Sequence, residues 1–156
     1  MIIDEHDTST YPGAAMLPRA LRLAAAIAAG TLALGGSASA APAAETVKVT
    51  LGSPGEYSVK PSATSIAPGT VTFRVTNHGK LTHELNVIRV ATTATILPKG
   101  RSAGQRLEKG KIGAVEGLRA GTSGSVTVVL QAGTYQLFCN IPGHYMRGMR
   151  TVITVK

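Results

Sequence analysis

Short stretches in which every second residue is apolar, cut apart by Gly- and Pro-containing turns, run through most of this chain and leave it few options besides β-strands. Val47, Val49 and Leu51 alternate with Thr46, Lys48 and Thr50, and Val71, Phe73 and Val75 alternate with Thr72, Arg74 and Thr76. Val126, Val128 and Leu130 make a further apolar row, and Ile153 and Val155 a last one. Side chains in a strand point alternately to its two faces, so this period marks strands buried on one side. Pro54-Gly55, Pro68-Gly69, Asn77-His78-Gly79 and Ala132-Gly133 supply the turns. Several short strands so spaced predict an all-β sandwich or barrel. No internal repeat is present. Residues 91–123 interrupt the pattern and are too many for a bare connection. Gly and basic groups crowd them (Lys99, Arg101, Arg106, Lys109, Lys111, Arg119). They read as a solvated surface excursion with an irregular strand or short helix inside it.

Parity within the strands selects a second set of residues. His83 shares a face with Leu85 and Val87, Cys139 with Tyr135 and Leu137, and Met149 with Ile153 and Val155. Glu84 and Asn86 point the other way. Cys139 is the one cysteine of the chain, so it can form no internal disulfide. Cys139 and His144 bracket Asn140-Ile141-Pro142-Gly143, a turn able to fold the chain back so that both side chains reach one point. Taken singly, a buried Cys, His or Met is ordinary packing. Together, two imidazoles, a thiolate and a thioether make the donor set of a mononuclear blue-copper site, trigonal with a weak axial sulfur. Such a site holds copper in both valences, Cu(I) and Cu(II), and passes one electron at a time.

The front of the chain has a different character. Residues 23–34 are an apolar run behind Arg19 and Arg22, followed by Ala38-Ser39-Ala40 and then Ala41-Pro42. This is the order of a secretory signal peptide, with cleavage expected after Ala40. The run falls short of the roughly 20 residues a spanning helix needs. Residues 1–40 are therefore read as a cleavable signal segment and 41–156 as the folded domain, exported to the periplasm or cell envelope without a membrane span. Asp4, Glu5 and Asp7 suit a signal segment badly, and Met16 is an alternative start.

The 156 residues carry 16 Lys and Arg against 8 Asp and Glu, a formal net charge of +8. Beyond residue 40 the acidic groups are Glu45, Glu56, Glu84, Glu108 and Glu116. A positive surface favours acidic partners. Nucleic acid is set aside, because there is no basic helix or interleaved aromatic array and the domain is exported.

These residues resemble a known family, the cupredoxins or blue copper proteins, which include plastocyanin and azurin. The Cys139-x4-His144-x4-Met149 spacing is most similar to that of rusticyanin and sulfocyanin, and the Pro-Gly-His turn resembles azurin as well. Asn77-His78-Gly79-x3-His83 looks like the strand of the first histidine. Leu130-x2-Gly133-x-Tyr135-x3-Cys139 looks like the penultimate strand, whose Tyr is structural. The resemblance covers roughly residues 45–156. It implies a Greek-key β-sandwich, with His83, Cys139 and His144 as strong copper ligands and Met149 as the weak axial one. It further implies that electrons pass through the exposed edge of His144, ringed by Pro142, Gly143, Tyr145 and Met146 with positive charge from Arg147 and Arg150. The sequence departs from the family after the first histidine, where many members have Asn or Ser tying the two ligand loops together. Glu84 stands there instead, and a carboxylate close to the metal would lower its potential. His78, in a turn, and Met146, too soon after His144, are not expected to ligate.

The function expected from this is that of a monomeric one-electron carrier between redox partner proteins that are acidic where they dock. The alternative is a copper-handling protein for storage or delivery. Only two methionines, Met146 and Met149, lie beyond residue 40, and there is no His-rich tract; both count against it. Enzyme classes are set aside. Multicopper oxidases need His-x-His clusters, a binuclear copper site needs two cysteines, and a Cys-His hydrolase has no use for Met149.

Overall fold

The computed structural model describes residues 44–156; the expected signal segment and the Met16 start lie outside the described residues. Nine strands follow in order: β1 Glu45–Leu51, β2 Val59–Pro61, β3 Ser65–Ile66, β4 Gly69–Asn77, β5 His83–Val90, β6 Lys111–Leu118, β7 Ser123–Leu130, β8 Gly133–Phe138 and β9 Arg150–Val155. They form a four-stranded sheet ordered β2-β1-β4-β7 and a five-stranded sheet ordered β3-β9-β8-β5-β6. The expected sandwich is thus present. Among the described residues no helix is long and apolar enough to cross a membrane.

The alternating rows become the inner faces. Val47, Val49, Leu51, Val71, Phe73, Val75, Val128 and Leu130 from one sheet meet Leu85, Val87, Tyr135, Leu137, Ile153 and Val155 from the other in a single core. Burial of these side chains is the main force closing the sandwich, at about 1.5–3 kcal/mol for each large apolar group. Tyr135 keeps its ring in this core and donates its hydroxyl proton to the Gln131 carbonyl at 2.8 Å, the structural role implied by the resemblance.

The outer face of the five-stranded sheet is covered as well. Ile88 and Val90 of β5, Phe138, Leu97 and Tyr145 form a second apolar cluster there. Residues 91–123 are mostly exposed, as expected of a solvated excursion, and hold the irregular strand expected inside it, but they also do something that reading left out. Their second half is β6, paired antiparallel with β5. Their first half folds back through the Lys99–Arg106 bridge and lies over the outer face. A composition rich in Gly and basic residues hid this, because in the first half only Leu97 and one arginine, Arg106, are buried.

Candidate metal centre

The five-stranded sheet delivers the candidate ligands to one end of the sandwich. His83 is the first residue of β5, Cys139 follows β8 directly, and Met149 immediately precedes β9. Because β5 and β8 are antiparallel neighbours, the start of one and the end of the other lie side by side. His144 is brought in by the connection. Its N–H donates to the Ile141 carbonyl at 3.0 Å, closing a turn with Pro142 and Gly143 at the centre. Gly143 has φ +82°, the backbone shape that a Pro-Gly turn of type II requires at its second central residue. A 3₁₀ turn, Tyr145–Arg147, then leads to Gly148. The Met149 N–H donates to the His144 carbonyl, and the Cys139 N–H to the Met149 carbonyl, both at 3.1 Å. The loop is thereby stapled at both ends.

The donor atoms of His83, Cys139 and His144 all lie within 4.8 Å of one another. His83 Nδ1 is 3.2 Å from His144 Nδ1, and Cys139 Sγ is 3.4 Å from that same nitrogen. Met149 is fully buried in the same core cluster as Cys139. His78 is exposed in the turn after β4. Met146 is 64 % exposed and takes a hydrogen bond at its sulfur from Arg106. Neither belongs to the group.

Electrostatics suit a soft cation here. Burial pushes the Cys139 thiol up to about 11, against the pull of the Ile141 and Glu84 backbone N–H groups. Burial, followed by the nearby His83 and Arg147 charges, lowers the pKa of His144. Both shifts favour a neutral His144 imidazole and a protonated Cys139 thiol in the metal-free site, and a bound metal takes the place of the thiol proton. One sulfur and two nitrogens, with no carboxylate among the converging atoms and Met149 buried in the same core cluster as Cys139, fit copper.

Supporting contacts come from several segments. Glu84, after the first histidine, accepts the Asn140 N–H at 3.0 Å and the Asn86 side-chain amide at 2.8 Å. It thereby makes the tie between the ligand loops that the resemblance assigns, in many members, to an Asn or Ser at this place. Asn140 also holds the covering segment: its Oδ1 accepts the Arg106 N–H at 2.6 Å, and its Nδ2 donates to the Arg106 carbonyl at 3.0 Å and to Glu108 at 2.8 Å. Buried Asn77 fixes the turn before His83, donating to the Leu81 and Leu118 carbonyls and accepting the Gly79 N–H. Glu56 reaches His83 Nε2 at 2.8 Å. Its pKa is lowered to about 2, chiefly by the Leu81 and Lys80 backbone N–H groups.

The rim around His144 differs from expectation in one residue. Tyr145 is fully buried; its hydroxyl donates to Gln136 at 2.9 Å and accepts the Leu97 N–H at 3.0 Å. Tyr57, from the β1–β2 connection, supplies the aromatic ring instead, edge-on to His144 with centroids 5.1 Å apart. The Arg147 guanidinium lies over that ring. Pro142 and Met146 are exposed as expected, and His144 itself is 8 % exposed. Glu56, Tyr57 and Arg106 carried no local signal in the sequence, whereas Asn77 and Asn140 stood in recognisable turns.

Residues 45–156 match the family model of copper binding proteins, the plastocyanin/azurin family. A comparison with curated protein sequences gives no match. Among solved structures, the dithionite-reduced auracyanin of Roseiflexus castenholzii is 24 % identical, with 72 % of this chain and 98 % of that chain covered at a TM-score of 0.54. Auracyanin B is 25 % identical over 72 % of this chain and 89 % of its own, with a TM-score of 0.56. Rusticyanin from Thiobacillus ferrooxidans is 22 % identical over 71 % and 76 %, with a TM-score of 0.55. At such identities the likeness to the auracyanin of Roseiflexus and to rusticyanin speaks to fold alone.

Proposed function

Because the chain belongs to the plastocyanin/azurin family of copper-binding proteins, we propose that it is an exported one-electron carrier with one copper held by His83, Cys139, His144 and Met149. The observation that carries this reading is the convergence of two Nδ1 atoms and one Sγ within 4.8 Å, on strand ends stapled to one another. Copper bound there supplies the one-electron chemistry, as Cu(I) and Cu(II). The protein's part is to hold its donors still, so that little reorganisation accompanies the change of charge. His83 and Cys139 are fully buried, the Cys139–Met149 loop is stapled by backbone hydrogen bonds, and the turn before His83 is held by the Asn77 and Glu56 side chains. A closed site of this kind suits retention of the metal rather than delivery. His144, the ligand nearest the surface, is the route by which an electron would reach a partner. The signal-like residues 1–40 support export.

A visible spectrum of the copper(II) protein tests the reading. An intense thiolate charge-transfer band is expected, and Cys139→Ser should abolish it. A spectrum unchanged by that substitution would end the proposal. Mass spectrometry of the exported protein should find its start near Ala41; a retained residue 1–40 segment would rule out the cleavage.

A further inference from the structure

We propose that Glu56 is a positioning residue for His83: its carboxylate holds the ring's Nε2 proton, keeps Nδ1 free for the metal, and biases bound copper toward its higher valence. This rests on the metal-site reading above. Glu56 lies in the β1–β2 connection, 27 residues before His83 in the chain. Its Oε1 nevertheless stands 2.8 Å from His83 Nε2. Oε1 also accepts the Leu81 N–H at 3.0 Å, and the Lys80 N–H reaches both carboxylate oxygens at 3.0 Å. The carboxylate is thus seated on the backbone of the very turn that leads into His83.

The seat is shaped for it. A Cβ placed on Gly79 would overlap Glu56 Oε1 and stand 2.9 Å from His83 Nε2, so the turn approaches this pair only because position 79 has no side chain. Gly52, at φ +71°, has no room for a Cβ against the Gly79 backbone. Two glycines therefore let the β1–β2 connection and the 77–82 turn close around one carboxylate–imidazole pair. Asn77 locks that turn by accepting the Gly79 N–H at 2.8 Å.

A neutral imidazole carries one proton. With Nε2–H committed to a carboxylate, Nδ1 presents its lone pair to the other donors, and Nδ1 is the atom that faces His144. His83 is fully buried, so its N–H needs a partner from the protein. A carbonyl or amide oxygen would satisfy the proton without adding charge. A carboxylate adds a negative charge one hydrogen bond from the ring, raises the basicity of the ligand atom and favours the more positive ion. Glu56 is close enough to act on the potential and touches none of the other ligands' donor atoms.

The test compares the copper-loaded exported protein with its Glu56→Gln and Glu56→Asp variants by voltammetry and visible spectroscopy. Glu56→Gln should keep the thiolate band and lose about tenfold of the preference for Cu(II) over Cu(I). That is an upward shift of about 59 mV for a one-electron couple. Glu56→Asp, which restores the charge, should lie nearer the parent. A Glu56→Gln potential equal to the parent's overturns the inference while leaving the copper reading intact. A parent protein without the thiolate band defeats both. Should Glu56→Gln fail to fold, nitrogen-15 NMR of the parent Cu(I) form decides: a slowly exchanging proton on His83 Nε2 supports the inference, and a ring without that proton overturns it.

Discussion

Glu84 and Asn140, each the residue that follows a candidate ligand, are joined by a 3.0 Å hydrogen bond from the Asn140 N–H to the Glu84 carboxylate. The bond fixes the spacing of the His83 and Cys139 backbones, and it does so with a charged group. Tie and charge can be separated. Glu84→Gln keeps an oxygen able to accept both Asn140 N–H and the Asn86 amide, so stability should change little while the potential rises. Glu84→Ala removes the acceptor and should cost about 1–3 kcal/mol. Thermal melting and voltammetry of the two variants check this, and a Glu84→Gln potential level with the parent's would show that the charge is screened.

Asn140 is the hinge pin between the ligand loop and the covering segment, through its two bonds to Arg106 and one to Glu108. Asn140→Ala leaves a buried N–H and carbonyl of Arg106 without partners, a loss of about 1–3 kcal/mol. Its side chain touches no donor atom of the metal group, so the thiolate band should persist. Hydrogen exchange should show the Arg106 amide losing protection. Retained protection would mean that the Arg106–Tyr145 stacking (4.8 Å) and the Leu97 N–H bond to the Tyr145 hydroxyl hold the segment without Asn140.

Much of this was readable from the sequence where one residue's neighbours along the strand decide its face. The alternating rows identified the inner core, and the parity of Leu85, Leu137 and Ile153 carried His83, Cys139 and Met149 to its edge. The Pro142-Gly143 pair announced the turn that returns His144. Parity failed where the strand stopped. After His144 the chain enters a 3₁₀ turn, in which successive side chains lie about 120° apart, and Tyr145 swings inward beneath the outer face instead of joining the rim. Tyr57 and Glu56 come from a connection remote in sequence, and only the sheet order β2-β1-β4 brings them to the site. Arg106 misled by type, since a buried guanidinium paired with a ring and carbonyls looks, in a composition, like surface charge.

Met149 is expected to act as the weak axial donor. Met149→Leu nearly preserves volume in a fully buried position, so stability should fall by less than about 1.5 kcal/mol. The protein should stay coloured, because the two imidazoles and the thiolate remain. Its potential should rise, since a donor that helps the higher valence has gone. Voltammetry showing no movement would remove Met149 from the ligand set.

Docking is expected at the His144 end, steered by positive charge. The exposed cations there are Arg147, stacked on Tyr57, and Lys99 and Arg101, which share a cleft with Met146. Arg150 is a poor candidate for steering: its guanidinium lies over the Tyr145 ring and donates to the Tyr145 carbonyl at 2.8 Å, so replacing it would disturb the ligand loop. The informative variant is therefore Arg101→Glu with Arg147→Glu. Attraction between opposite charges speeds encounter, and it is screened as the Debye length shrinks from about 30 Å at 0.01 M to about 10 Å at 0.1 M. Stopped-flow electron transfer to an anionic redox partner should slow with salt in the parent protein. The double variant should be slower at low salt, on the order of tenfold, with the two curves converging at high salt. Curves that are flat and superimposed would place the docking face elsewhere and leave the surplus charge to some other anionic surface.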